Sequence, residues 1–422
     1  MDIKITPSHL SGALPAIASK SQAHRLLIAA ALANAPSRVA CGETSADIDA
    51  TAACLGALGA QITYRHGIFE VVPVQTPVTG EKALDCRESG STLRFMLPVC
   101  CALGATTALH MSGRLPNRPL SPLYEELISH GCALSPQGQN PLHTGGQLRG
   151  GRYTIAGNIS SQYITGLLFS LPLLGEDSVI NITGALESGP YVDMTLDVLS
   201  RFGITVTAAE NRFIVPGNQT FRAPGSVRVE GDWSNAAFWL CAGAIGKESV
   251  TVTNLSASSL QGDKAVFTVL KRFGATVTVS EDTVTVSRGT LRGIDIDAGD
   301  TPDLVPVLSA VAAVADGQTR IYNAGRLRIK ESDRLKTVTE TLSALGADIT
   351  ETEDGLIIYG KKRLIGGTVH AHGDHRIAMT AAVASAVCDG PVVITGAEAV
   401  SKSYPGFFSD FAAMGGTFEE VV

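Results

Sequence analysis

The hydrophobic and polar positions of this chain follow one pattern that recurs along its length. A helix-like run ends at a glycine, and a β-branched stretch follows. The copies read Leu58-Gly59-Ala60-Gln61-Ile62-Thr63, His130-Gly131-Cys132-Ala133-Leu134, Phe202-Gly203-Ile204-Thr205-Val206, Phe273-Gly274-Ala275-Thr276-Val277, Leu345-Gly346-Ala347-Asp348-Ile349 and Met414-Gly415-Gly416-Thr417-Phe418. The glycines are separated by 72, 72, 71, 72 and 69 residues. Glycine there suits a left-handed residue just past a helix C-terminus. The alternation afterwards (Val277, Val279) suits a half-buried strand.

Each copy also carries an earlier, more apolar helix. Its starts read Ser19-Lys20-Ser21, Ser89-Gly90-Ser91, Ser160-Ser161-Gln162, Gly231-Asp232-Trp233-Ser234, Gly299-Asp300-Thr301-Pro302 and Gly373-Asp374-His375-Arg376. Nearly all-apolar segments follow, such as 26–33, 95–103 and 305–315. A helix apolar on every side belongs inside a core. Each copy therefore predicts strand, buried helix, strand, outer amphipathic helix and strands, and so long a period marks stacked supersecondary units. Six copies divide into three and three, with the midpoint near 216–229. The prediction is an α/β protein of two domains, residues 1–18 with 229–422 and residues 19–228. The chain crosses twice, each domain has three sheets around three parallel helices, and the strand at 2–7 completes the second half.

Length agrees with this division, since 422 residues at about 150 per domain allow two or three domains. With 33 basic and 40 acidic residues the net charge is −7, which weighs against a nucleic-acid-coating protein. No window reaches the roughly 18 apolar residues of a membrane span, and the N-terminus lacks a signal-peptide pattern. The eight cysteines show no Cys-x-x-Cys spacing and sit mostly in apolar runs, as buried reduced thiols do. A cytoplasmic protein without structural metal is expected.

Parallel buried helices bring their N-termini to one face of a domain. Each terminus offers unpaired N–H groups and about half a positive charge. Two such faces opposing one another would form a cleft suited to anions. Serines and aspartates at these starts have an ordinary explanation as N-caps, and Ser19 with Gln22 reads as a capping box. The cations are harder to dismiss, because the helix dipole disfavours them there. Lys20 and Arg25 flank the first buried helix; Arg94 and Arg376 repeat the pattern. Arg118, Arg334 and Lys402 stand at predicted starts of outer helices. An acidic chain that places cations at helix starts points to polyanionic ligands.

The motifs Ser19-Lys20-Ser21-x-x-x-Arg25, Glu88-Ser89-Gly90-Ser91-Thr92-x-Arg94, Arg118-Pro119, Ser160-Ser161-Gln162, Lys330-Glu331-Ser332-Asp333-Arg334, Asp374-His375-Arg376 and Lys402-x-x-Pro405 occur in this order. Together they resemble the 5-enolpyruvylshikimate-3-phosphate synthase family over nearly the whole chain. The resemblance implies an inside-out α/β barrel fold of six βαβαββ repeats, three per domain, with the active site in the cleft between the domains. It implies transfer of the enolpyruvyl group of phosphoenolpyruvate to the 5-hydroxyl of shikimate 3-phosphate, without a cofactor, in a monomer. By the same resemblance Lys20, Arg118, Arg334, Arg376 and Lys402 would hold phosphoenolpyruvate, with Gly90 and Gln162 nearby. Ser160, Ser161, Ser188 and Lys330 would hold the shikimate phosphate. Ser21, Arg25, Tyr191 and Asp303 would position the ring and its hydroxyls. Asp303 and Glu331 would be the acid–base pair, with Lys20 beside Glu331. Without the resemblance, both acids read equally well as helix caps. The two substrates bring roughly five negative charges together, and each unit pair about 6 Å apart repels by roughly 3 kcal/mol at an effective dielectric near 20. Arginine suits such ligands because its fork binds phosphate and carboxylate bidentately.

The chain departs from the family at Glu88 and Arg326, where asparagine is frequent, and at Phe95, where proline is frequent. Two alternatives stay open. One is enolpyruvyl transfer to a UDP-amino sugar (UDP-N-acetylglucosamine), although the stretch Ser112-Gly113-Arg114-Leu115-Pro116-Asn117-Arg118-Pro119 lacks the cysteine typical of that branch. The other is a non-enzymatic six-repeat scaffold or clamp, against which the charge and the two tryptophans weigh.

Overall fold

The structure is a computed structural model that describes residues 1–74 and 78–421. The chain divides into two compact units, residues 1–19 with 230–422 and residues 20–229. Among the described residues there are six four-stranded sheets, three in each unit. The copy built from Lys82–Asp85, Gly90–Ala102, Thr107–His110, Leu123–Ser129, Cys132–Leu134 and Leu142–Gly146 shows the plan. Its first two strands are parallel across the buried helix, and the last strand inserts antiparallel beside the second.

Two copies exchange their first strands. Gly12–Pro15 precedes the first buried helix in sequence but pairs in parallel with Val250–Thr253 of the fourth copy. Ser226–Arg228 precedes the fourth buried helix but pairs with Ser37–Ala40 of the first. Between these strands the two chain crossings touch, with an isolated antiparallel bridge between Ala18 and Gly231. The first strand, Asp2–Thr6, lies antiparallel between Val392–Thr395 and Thr417–Val421 and so completes the sixth copy.

The repeating glycines have a common cause. Gly59, Gly131, Gly203, Gly274, Gly346 and Gly415 all have φ between +75° and +112°, where a side chain is strained. Each turns the chain from an outer helix into the next strand.

The helices Lys20–Ala31, Gly90–Ala102, Ser161–Ser170, Trp233–Ile245, Val305–Ala312 and His375–Ala384 are buried almost throughout. Fully burying each Leu, Ile, Val or Phe contributes about 1.5–3 kcal/mol. In one unit Trp233–Ile245, Val305–Ala312 and His375–Ala384 pack on one another. The fifth of these helices begins later than its motif suggests. Pro302–Leu304 forms a 3-10 turn, and α-helical geometry starts at Val305.

In the other unit, Gly90–Ala102 packs closely on Ser161–Ser170. Pro98 makes this possible, because it has no N–H to give the Arg94 carbonyl one turn earlier. Gly166 approaches that carbonyl. A methyl group there would press into the Arg94 oxygen and come within 2.7 Å of Pro98 Cγ. Gly166→Ala is therefore expected to cost about 1–3 kcal/mol through overpacking. Urea unfolding measures this, and an unchanged midpoint would contradict the packing account.

Candidate active site

In the unit 20–229, the candidate side chains take part in several polar networks. Lys20 is the first residue of its helix, and its Nζ lies 2.8 Å from Asp47 Oδ2. One helical turn on, His24 Nδ1 shares a 2.7 Å hydrogen bond with Thr51, so helix Lys20–Ala31 is clasped twice to helix Ala46–Ala57. Thr51 is bonded at 2.7 Å to Thr92, whose hydroxyl donates to the N-cap Ser89. Gly90 follows. A Cβ at Gly90 would sit 2.8 Å from Arg118 Nη1 and 2.9 Å from Arg94 Nη1, so a side chain there would displace the two guanidinium groups. Arg94 Nη1 donates to Gln162 Oε1 at 2.9 Å, and Gln162 Nε2 donates to Ser91 at 2.8 Å. Ser160 caps the helix that starts at Ser161. The N-termini of the second and third buried helices thus meet around Gly90.

Arg25 is buried and ties the remaining elements together. Its Nε donates to Thr195 at 2.8 Å, Nη1 to the Ser21 carbonyl at 2.7 Å, and Nη2 to Thr165 at 3.3 Å and the Tyr191 carbonyl at 2.9 Å. Its guanidinium also lies 5.2 Å from the centroid of Phe95. Burial lowers the Arg25 pKa to about 10, which leaves it charged at neutral pH. Burial pushes His24 down to about 3 despite Asp47, so it is a neutral imidazole between Lys20 and Arg25. Ser188 precedes helix Gly189–Arg201 with φ +55°, an uncommon conformation for serine.

In the other unit, cations converge on Asp303. Arg334 Nη1 lies 2.8 Å from Asp303 Oδ1, Arg376 Nη2 lies 3.2 Å from Oδ2, and Lys330 Nζ lies 3.6 Å from Oδ1. Arg376 Nη1 also donates to the Asp303 carbonyl at 3.0 Å, and its Nη2 donates to Ser234 at 2.6 Å. The starts of helices Trp233–Ile245, Val305–Ala312 and His375–Ala384 therefore lie together. Arg334 is itself buried and holds three carboxylates: Asp303, Glu331 Oε2 at 2.9 Å and Asp374 Oδ2 at 2.8 Å. Asp374 caps the helix of Arg376 and accepts from Ser332 at 2.9 Å. Lys402 is buried at the end of the 3-10 turn Ala397–Lys402, and its neighbour Ser403 donates to Asn235 in the first turn of Trp233–Ile245.

Charge balance sets the protonation states. Burial alone would raise Asp303, but Arg376, Lys330 and Arg334 hold it well below the usual carboxylate range. Burial lowers Lys330 to about 8, against the pull of Asp303. Burial also works against Arg334, yet Asp374, Glu331 and Asp303 raise its pKa and keep it charged.

Some sequence expectations need correction. Arg118 does not start an outer helix: it follows the 3-10 turn Leu115–Asn117, and the helix begins at Leu123. Lys402 likewise ends a turn, with helix Phe407–Ala413 beginning five residues later. Arg334 is the first residue of its outer helix, capped by Asp333. Sequence reasoning gave no role to Asp47, Ser234 or Asp374. The first two look like ordinary residues near helix starts, and Asp374 reads as a cap, which it also is. Among the described residues no three His, Cys, Asp or Glu side chains are grouped to hold a metal, and no helix is long and apolar enough to cross a membrane.

The chain is similar to known proteins over nearly its whole length. The family model described as EPSP synthase (3-phosphoshikimate 1-carboxyvinyltransferase) matches residues 5–411. A 3-phosphoshikimate 1-carboxyvinyltransferase from Clostridium kluyveri is 43% identical over 420 residues, covering 99% of this chain and 98% of the relative. The solved EPSP synthase from Acinetobacter baumannii is 26% identical, with a TM-score of 0.84 and 99% of each chain covered. The enolpyruvyl transferase NikO from Streptomyces tendae, 20% identical with a TM-score of 0.81 over 100% of this chain and 98% of NikO, shares the fold. With a cation-rich set of helix starts in each unit and a match across nearly its whole length, the chain belongs to the EPSP synthase family.

Proposed function

We propose that this chain carries out the family reaction with the residues assembled above. That reaction is transfer of the enolpyruvyl group from phosphoenolpyruvate to shikimate 3-phosphate. The proton of the 5-hydroxyl goes to Asp303 as its oxygen bonds to carbon 2. A proton from Glu331 adds to the methylene carbon, a step that Lys20 also serves, giving a tetrahedral ketal. Glu331 then takes back one methyl proton as phosphate leaves with the proton held by Asp303, which restores the double bond and both carboxyl groups. Lys20, Arg118, Arg334, Arg376 and Lys402, with Gly90 and Gln162, take phosphoenolpyruvate. Ser160, Ser161, Ser188 and Lys330 take the shikimate phosphate, while Ser21, Arg25 and Tyr191 position the ring. The set in residues 20–229 and the set around Asp303 serve one reaction.

The observation that carries this reading is the grip of Lys330, Arg334 and Arg376 on Asp303. It keeps the aspartate ionised, as a general base requires, but makes it a weak one. An anionic substrate that draws these cations away raises the basicity of Asp303 when it is needed. Glu331 shares Arg334 with Asp303, which places the two carboxylates on one guanidinium. We further propose a cytoplasmic monomer, supported by eight buried free cysteines and by exposed large apolar side chains spread over both units.

Phosphate release from phosphoenolpyruvate is expected with shikimate 3-phosphate and not with UDP-N-acetylglucosamine; the reverse preference would overturn the reading. In the same assay Glu331→Gln should lower kcat by about 10²-fold or more with substrate binding retained. The Lys330 pKa gives a pH prediction. Lys330 is cationic below about pH 8 and loses its charge above it. The kcat/KM for shikimate 3-phosphate should therefore fall as pH rises through that value. Lys330→Arg should remove the fall, because arginine stays charged. The same alkaline fall in both proteins would contradict the assignment.

A further inference from the structure

Arg25 positions the substrate ring in the reading above, yet most of its donors are turned toward the protein. A guanidinium has five N–H protons and no acceptor. Nε gives its proton to Thr195 at 2.8 Å, and Nη1 gives one to the Ser21 carbonyl at 2.7 Å. The two Nη2 protons go to Thr165 at 3.3 Å and to the Tyr191 carbonyl at 2.9 Å. Among the described residues, only the second Nη1 proton has no acceptor.

The two threonines are fully buried, and their hydroxyl protons can run in only one direction. Both oxygens accept from Arg25, which has nothing but protons to offer. Thr195 stands one helical turn after Tyr191 in helix Gly189–Arg201, and it donates to the Tyr191 carbonyl at 3.0 Å. Its single proton is thereby used. The 2.9 Å bond between the two hydroxyls must then run from Thr165 to Thr195. Thr195 Oγ1 accepts twice, from Arg25 and from Thr165, and donates once. At this one hydroxyl the helices Ser161–Ser170 and Gly189–Arg201 are joined to the guanidinium that comes from helix Lys20–Ala31.

We infer that Thr195 is a positioning residue whose hydroxyl fixes the plane of the Arg25 guanidinium, so that its remaining Nη1 proton is presented to shikimate 3-phosphate. The inference rests on the reading above that Arg25 positions that substrate. Without the hydroxyl, the Nε proton is a buried donor on a cation with no acceptor, and the closed set of bonds around the guanidinium opens. Thr165 has a smaller part. Its bond to Nη2 is the longest of the four, and Nη2 keeps the Tyr191 carbonyl when Thr165 is removed.

The test is steady-state kinetics on the full chain with Thr195→Val, Thr195→Ser, Thr165→Val, Arg25→Lys and the double Arg25→Lys with Thr195→Val. Loss of a hydrogen bond to a charged group corresponds to about tenfold in affinity. Thr195→Val keeps the shape and removes the hydroxyl. It should raise the KM for shikimate 3-phosphate about tenfold, with kcat and the KM for phosphoenolpyruvate within about twofold of the parent. Thr195→Ser keeps the hydroxyl and should bring the raised KM back to within about twofold of the parent. Thr165→Val should raise it less than Thr195→Val does. In the Arg25→Lys background, Thr195→Val should add less than about twofold, because the group it positions is gone. An unchanged KM in natively folded Thr195→Val, an equal rise for both substrates, no rescue by serine, or a full effect in the Arg25→Lys background overturns the inference. If Thr195→Val does not fold, judged by its thermal transition, Thr195→Ser and Thr195→Ala, which differ only in the hydroxyl, decide in the same way. An Arg25→Lys enzyme with parental KM for shikimate 3-phosphate overturns the reading of Arg25 itself. A raised KM there with a parental Thr195→Val overturns the positioning role alone.

Discussion

Three cations on one partly buried carboxylate are the constraint on which the site depends. Lys330, Arg334 and Arg376 are like charges brought close together, and Asp303 is the counter-charge that lets them stay. Arg334 is further anchored by Asp374, which is fully buried. Removing one partner of such a pair leaves an unpaired buried charge, worth roughly 3–5 kcal/mol. The protein therefore stores a ready-made anion site whose resident anion is its own side chain. In the reading proposed above, substrate phosphate and carboxylate groups would take the place of Asp303 without a cost of assembling the cations.

The fold supplies the place for this arrangement. A helix buried on all sides must end somewhere, and its N-terminus presents N–H groups that need acceptors. With three such helices packed together in one unit, their starts meet, and Ser234, Asp303 and Arg376 come from three different copies of the repeat. In the other unit the same logic joins Ser91, Arg94 and Gln162 around Gly90. Pro98 and Gly166 bring those two helices close enough for the contact. The stability of the core and the geometry of the site thus come from the same helix packing.

Much of this was legible in the residues. The six glycines and the apolar runs behind Ser89, Ser160, Asp232 and Asp374 carry strong local signals, because a left-handed residue and an all-round apolar helix each have few alternatives. The cation positions were readable as anomalies against the helix dipole. What could not be read was pairing across the chain. Nothing near Asp47 indicates that it takes Lys20, and nothing near Ser234 indicates Arg376, since the sequence records neither distance nor direction. Arg118 and Lys402 read as helix starts because proline follows each closely. Proline is equally at home after a 3-10 turn; Lys402 ends such a turn and Arg118 directly follows one. Phe95 departs from the frequent proline of the family, and its ring lies against the Arg25 guanidinium.

The most direct test is calorimetric binding of phosphoenolpyruvate to Asp303→Ala at saturating shikimate 3-phosphate, beside its turnover. If Asp303 is both the resident counter-anion and the base, the variant binds phosphoenolpyruvate at least as tightly as the native chain, while turnover falls by about 10²-fold or more. Loss of binding in step with turnover, in a natively folded variant, would contradict the account.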